Sequence, residues 1–449
     1  MLLTLVVVLT MLNQLGQTIA IREIIALFMV TTCLVMPYIG YEFYSRSNSL
    51  ALLWVRFMPI DAERYFSYAF PAVTGYVMAL CLPFASTSVP DKGKALFEVI
   101  SKAKAQLKNN QRIGIILLLA GVLITTVVAF IPVSIRFFFN LFYFSSFAGL
   151  LYLFFADPFP LRRVLMLAFV SFIVFSALRQ GMFTIVVYMG MTLFPFLMTG
   201  VKIRLWKKLV VFFSGVFLVL LLQSVKPMYR LAVWEKKYEG NKLELFAQLA
   251  GEKLTTPSTM FDTNSFFFIY YRMNQGFNMA LVMKHVPAKR DYDEGKNLFV
   301  SIASTFVPRF LWSDKPEAGG HANMKYYTGY TIKGWATNVG PLGEAYGSFG
   351  PVGGIIYMIL LGLFIRFYFG KVLALANRIP LLLFWIPVLF YQVSYSAEND
   401  TLQILNSLFK TSLFIFLLYK FFPVILTPGK ARKKLPSHLV QRPNVGVAS

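Results

Sequence analysis

Residues 209–225 read LVVFFSGVFLVLLLQSV, an apolar run with no charge in it and no polar stripe at helical spacing. A soluble helix carries apolar residues at i, i+3, i+4 and i+7 with a polar face opposite, whereas a helix apolar all round belongs in lipid or a large core. Lipid offers no partner to a free amide or carbonyl, so such a run must pair its own backbone as a helix. Similar runs lie near 2–14, 22–43, 65–84, 112–131, 137–156, 162–178, 181–200, 351–369, 379–397 and 402–423. Crossing a roughly 30 Å hydrocarbon core takes about 20 helical residues. The runs therefore predict an all-α polytopic membrane protein with about eleven transmembrane helices, within a range of 10 to 12. Composition agrees, since 57% of the 449 residues are hydrophobic and 14% charged, a balance that would leave a soluble domain with too much wet apolar surface. The first run has no charged n-region before it and reads as a short span rather than a cleavable signal peptide. Cys33 and Cys81 both fall in apolar runs and read as small core residues, not as a disulfide framework.

A net charge of +23 would suggest nucleic acid in a soluble protein, but in a membrane protein the distribution of Lys and Arg among short loops is what informs. Lys92, Lys94, Lys102, Lys104, Lys108 and Arg112 crowd one loop, Arg162 and Arg163 another, and Lys202, Arg204, Lys207 and Lys208 a third. Alternating spans put these on one side with Lys371, Arg378 and the tail cations Lys430, Arg432, Lys433, Lys434 and Arg442. The positive-inside rule makes that side cytoplasmic. The opposite loops carry few cations, chiefly Arg46, Arg56, Arg64, Arg136 and Arg179. The chain then divides into N-terminal membrane helices (1–225), a large outer, periplasmic loop (226–350), C-terminal membrane helices (351–423) and a basic cytoplasmic tail (424–449). The outer loop is rich in aromatics and contains amphipathic stretches near 240–253 and 264–285, so it folds rather than serving as a disordered linker. No internal repeat is visible.

Several residues of that outer region carry chemistry. Arg179, in ALRQGMF, sits at a break between two spans, where an uncompensated charge is expensive and takes a partner, a ligand or a phospholipid headgroup. Arg272 follows the aromatic run SFFFIYY, and its planar fork suits a diphosphate, although a surface ion pair would use it equally well. Arg309 and Lys315 bracket Trp312 and Asp314 in VPRFLWSDKP; two cations and an acid can bind phosphate or satisfy one another. Candidate proton-transfer groups are Glu344, Asp314, Glu317 and His321. Glu344 leads, because its Gly-rich apolar setting at the head of a span would desolvate a carboxylate and raise its pKa towards that of a useful base; pairing to an arginine is the alternative. The cluster Asp291, Tyr292, Asp293, Glu294 amid Lys289, Arg290 and Lys296 reads as solvated charge. There is no histidine pair at ligand spacing, no CxxC, no DxD, no phosphate loop and no GxGxxG fingerprint. Metal, cofactor and nucleotide are therefore not expected.

Three places in this chain resemble the Wzy-type O-antigen polymerases, which polymerise oligosaccharide repeat units in bacterial surface polysaccharide synthesis. They are Arg179-Gln180-Gly181; the stretch from Arg272 and Gln275 to Val307, Pro308, Arg309, Leu311, Trp312, Lys315 and Pro316; and Gly343, Glu344, Ala345, Tyr346, Phe349 and Gly350 at the entry to a late span. Ser313 stands where the family has proline, and 317–339 matches no part of its pattern. The resemblance implies a GT-C-like architecture and a metal-independent glycosyltransferase whose donor is undecaprenyl-diphosphate-linked oligosaccharide. Such an enzyme would make O-antigen, lipopolysaccharide, capsule or exopolysaccharide at the outer face of the bacterial inner membrane. Arg179, Arg272, Arg309 and Lys315 would then hold the diphosphate, while Glu344, with His321 and Asp314 behind it, would handle the acceptor proton. Implied partners are the lipid-linked oligosaccharides, membrane lipids, and flippase and chain-length regulator proteins, with no nucleic acid and no cofactor. An O-antigen ligase would share the donor and use a different acceptor. A lipid-linked oligosaccharide flippase or other transporter would be expected to show repeated halves and charged or broken helices at midplane.

Overall fold

The computed structural model describes residues 1–82, 93–202, 204–235, 238–260, 263–307, 311–312, 314–316, 320–332 and 337–428. Among these every regular element is helical. The first half comprises α1 (Leu2–Gln14), α2 (Ile21–Val30), α3 (Met36–Phe43), α4 (Ser49–Leu53), α5 (Ala62–Cys81), α6 (Gly93–Leu107), α7 (Gln111–Val127), α8 (Val133–Phe155), α9 (Arg162–Gln180), α10 (Thr184–Met198) and α11 (Leu205–Arg230). A π-turn, Thr31–Val35, joins α2 and α3 into one rod. There follow α12 (Lys242–Thr255), α13 (Thr263–Met273), α14 (Gln275–His285), α15 (Lys296–Phe306), α16 (His321–Thr328), α17 (Gly340–Ala376), α18 (Ile386–Ser394) and α19 (Thr401–Phe421).

All eleven apolar runs are helical. Among the described residues seven helices are long and apolar enough to cross a membrane: Ile21–Phe43, Arg136–Phe155, Arg162–Gln180, Leu205–Glu235, Gly340–Ala376, Pro380–Glu398 and Thr401–Phe421. This is the architecture of a multi-pass helical membrane protein. The other four runs differ for identifiable reasons. α1 and α10 have 13 and 15 residues, short of a full crossing. α7 has 17 residues and bends 88° from α6. α5 has the length, 20 residues, but is more polar; its Tyr65, Tyr68 and Tyr76 are buried, and Tyr68 Oη donates to the Leu342 carbonyl at 2.9 Å.

The basic stretch expected as a loop before 112 contains helix α6. Its Leu96, Val99, Ile100, Ala103 and Leu107 are buried, and the spacing of these residues makes one apolar stripe. It packs beside Pro380–Trp385. Lys92 and the tail cations from Lys430 onward lie outside the described residues.

Contacts sort the helix ends into two groups. At the basic end, Lys208 Nζ donates to the carbonyls of Leu12 and Leu15 at 2.9 and 2.6 Å, satisfying the C-terminus of α1. At the other end, α12–α16 fold onto the bundle, as when Arg64 reaches the Met283 carbonyl at 2.7 Å and Arg56 the Tyr271 hydroxyl at 2.6 Å. The expected amphipathic stretches are helices α12 and α13–α14, the latter pair broken at Asn274, whose side chain caps α14 by accepting from Phe277 N. α17 is one helix by sequence and two by direction. Gly350 has φ 68° and ψ −169°, a conformation only glycine adopts readily, and Pro351 restarts the helix. The half before the break, Gly340 to Ser348, is buried within the fold.

Candidate functional site

The stretch Ser394 to Thr401, SYSAENDT, joins α18 to α19 at the same end as α12–α16 and is almost wholly buried. A short 3₁₀ turn, Ser396–Glu398, aims Glu398 at α13. Gly340, at φ 70°, lies directly against the Ala397 carbonyl, where a Cβ would overlap it, and this close approach fixes the turn against the head of α17. Arg272 closes on Glu398 as a fork on a fork: Nη1 to Oε1 2.7 Å and Nη2 to Oε2 2.7 Å. Nη2 also lies 3.5 Å from the Tyr188 hydroxyl, and Tyr188 stacks on Tyr395 with centroids 4.0 Å apart. Glu398 holds the Arg272 guanidinium well above its ordinary pKa, outweighing burial. The pair is half-buried, the arginine side chain keeping 38% of its exposure and the glutamate 15%.

More positive charge surrounds this pair. Lys226 and Arg230, on the last turns of α11, are electrostatic neighbours of Arg272, and Lys226 is also one of Glu398. Arg272 is thus paired with Glu398 while two further basic side chains stand beside it, a grouping of basic residues at a partly exposed boundary that favours an anion.

Arg179 reaches this region only indirectly. The turn it begins is docked on the end of α11: Tyr229 donates to Leu178 O at 2.6 Å, Trp234 Nε1 to Gln180 O at 3.2 Å and Arg230 Nε to Gly181 O at 2.8 Å. The Arg230 guanidinium lies 4.4 Å from the Trp234 ring centroid. So the Arg-Gln-Gly turn uses its carbonyls to position Arg230, while the Arg179 side chain is exposed.

Glu344 is in a different setting. It is fully buried, and its oxygens accept from Asn323 Nδ2 at 2.6 Å, Thr401 N at 2.8 Å and Thr401 Oγ1 at 2.6 Å. These are neutral donors, not the arginine that the pairing alternative required. The network continues from Asn323 Oδ1 through Asn297 Nδ2, 3.0 Å, to the Tyr327 hydroxyl, 3.2 Å, which in turn meets Asp293 Oδ2 at 3.2 Å and Ser348 Oγ at 2.9 Å. It ties α15, α16, α17 and α19 together around Glu344. Asp293 corrects the reading of 291–294 as solvated charge. It is buried and accepts from Gly295 N at 2.9 Å and Asn297 N at 3.2 Å, because the turn that starts α15 folds those amides around it.

Lys315 is buried, and its Nζ donates to the Val307 carbonyl at 2.8 Å, at the C-terminus of α15. Asp314 and His321 are exposed, His321 at the first turn of α16, and no hydrogen bond joins either to the Arg272 cluster among the described residues. Arg309 and Glu317 lie outside the described residues. Of the six candidates among the described residues, Arg272 alone sits in this basic cluster. Sequence reasoning missed its partners Glu398, Lys226, Arg230 and Tyr188. A signal existed for Glu398: Glu-Asn-Asp at 398–400 is a dense polar run between two apolar spans in a chain with only 20 acidic residues.

Fold and site together define a multi-pass helical membrane protein with a cationic cluster where α11, α13 and the α18–α19 connection meet. The chain belongs to the family described as Domain of unknown function (DUF8712), whose model matches residues 91–379. That match contains Lys226, Arg230, Arg272 and Glu344 and ends before Glu398. No curated protein matches the chain, and no solved structure does.

Proposed function

We propose that this protein is a metal-independent glycosyltransferase that joins undecaprenyl-diphosphate-linked oligosaccharide repeat units into a surface polysaccharide on the outer face of the bacterial cytoplasmic membrane. The observation that carries the reading is the half-exposed Arg272 fork on Glu398, flanked by Lys226 and Arg230. A diphosphate is the ligand that a partly exposed guanidinium fork with two further basic side chains beside it fits best. The GT-C-like architecture and the outward orientation of 226–350 belong to the same proposal; their support is the cation bias of the opposite helix ends.

The chemistry follows from charge. The acceptor hydroxyl oxygen attacks the anomeric carbon of the donor sugar, the bond from that carbon to the diphosphate oxygen breaks, and the diphosphate leaves with the bonding electrons. Arg272, Lys226 and Arg230 stabilise the negative charge that develops there. A diphosphate that takes the Arg272 fork releases Glu398, and the freed carboxylate accepts the acceptor's proton. Glu344 has a structural part in this reading, since it holds Thr401 at the start of α19. The test is deletion of the gene and sizing of the surface polysaccharide. Single repeat units in place of long chains are expected. Complete loss of surface glycan would point instead to a ligase or flippase, and unchanged chains would end the proposal.

A further inference from the structure

Helix α15 is inside out for a helix in water. Its buried residues are Leu298, Ser301, Ser304 and Thr305, while Phe299, Ile302 and Phe306 keep 72%, 38% and 59% of their exposure. The small polar side faces the protein and the large apolar side faces away. Two of the hydroxyls on the inner side are satisfied within the helix, Ser304 and Thr305 both donating to the Ser301 carbonyl, at 2.8 and 3.3 Å. From Leu298 to Phe306 there is no charge.

Depth is fixed by contacts at both ends. The start of α15 is held ahead of the Gly350 break, where Asp293 N donates to Gly347 O at 3.4 Å and Gly295 lies on the Phe349 ring. Tyr357, just past that break, is level with Thr401, their hydroxyls 2.7 Å apart. The foot of α15 reaches further: Phe306 packs on Phe409 with ring centroids 4.9 Å apart. Phe409 lies eight residues into α19, roughly 12 Å beyond Thr401 at 1.5 Å per residue. Phe409, Leu413 and Phe416 are exposed on that candidate membrane span, and the apolar face of α15 continues their surface.

We propose that α15 is a re-entrant half-helix, inserted beside α19 with Phe299, Ile302 and Phe306 against lipid acyl chains. Non-helical backbone at its foot is tolerated at that depth only where protein covers it, and Lys315 supplies such cover by donating to Val307 O.

The test uses the full chain in phosphatidylcholine vesicles, with Cys33→Ala and Cys81→Ala and one new cysteine at a time carrying a bimane label. Label positions are Phe299→Cys, Ile302→Cys and Phe306→Cys, with Phe416→Cys as the lipid reference and the exposed Glu252→Cys on α12 as the water reference. Positions 302 and 306 should lose fluorescence to doxyl groups on acyl chains as position 416 does and resist aqueous iodide. Iodide quenching equal to that at 252 would overturn the proposal. Protection from both quenchers would overturn it equally, by showing a protein cover. A measurement on the unsubstituted protein guards against misfolded variants: a photoactivated carbene probe dissolved in the bilayer should modify peptide 296–306, and an unmodified peptide beside a modified α19 would count against insertion.

Discussion

Two carboxylates, Glu398 and Glu344, lie close in the fold and do different things. Glu398 is paired to Arg272 with Lys226 nearby and keeps some exposure. Glu344 is sealed, with neutral donors on both oxygens. The difference teaches that burial and a polar setting do not single out a reactive carboxylate. On the proposed reading the reactive carboxylate is the one whose cation a ligand can take, because that exchange strands no buried charge.

Substitutions can break that comparison. Arg272→Ala should have the largest effect, a loss of roughly 10³-fold in polymer formation with single lipid-linked units accumulating, because it removes the main stabiliser of the leaving charge. Arg272→Lys should recover only part of this, as a point charge cannot form the fork. Normal polymer from Arg272→Ala, assayed in membranes with the protein inserted, would remove the cluster from the site.

Glu398→Gln should cost about 10²-fold on the proposed reaction, the scale of a lost proton acceptor, and should flatten the acid limb of the pH–rate profile expected of the unsubstituted protein. Glu344→Gln should behave oppositely. It presents an amide N–H to donors, costing about 1–3 kcal/mol of stability and lowering the thermal midpoint in detergent, with chain length kept. If instead Glu344→Gln abolishes polymer at unchanged thermal midpoint, the two roles must be exchanged.

The smallest effect concerns pH. Burial, then Lys289 and Arg290, depress the His285 pKa. A depressed histidine favours its neutral form in the folded state, so its stabilisation is complete above the ordinary value near 6.5 and fades as pH falls through the lower folded value. The thermal midpoint should drop modestly between about pH 7 and pH 5, and His285→Gln should reduce that drop.

What the sequence by itself determined is the class of structure. The positions of the apolar runs dictate helices, since lipid leaves the backbone no other partner, and α1, α2–α3 and α19 lie within a residue or two of the expected ends. It also marked Arg272. What only the tertiary structure decided is which charges meet. Arg272 and Glu398 are 126 residues apart, and no local pattern encodes that pairing. Nor could composition tell a sealed Glu344 from an accessible one, or a buried Asp293 from a solvated one, because exposure is a property of the surrounding helices. The same holds for α15, where packing turned the serines inward and the phenylalanines out.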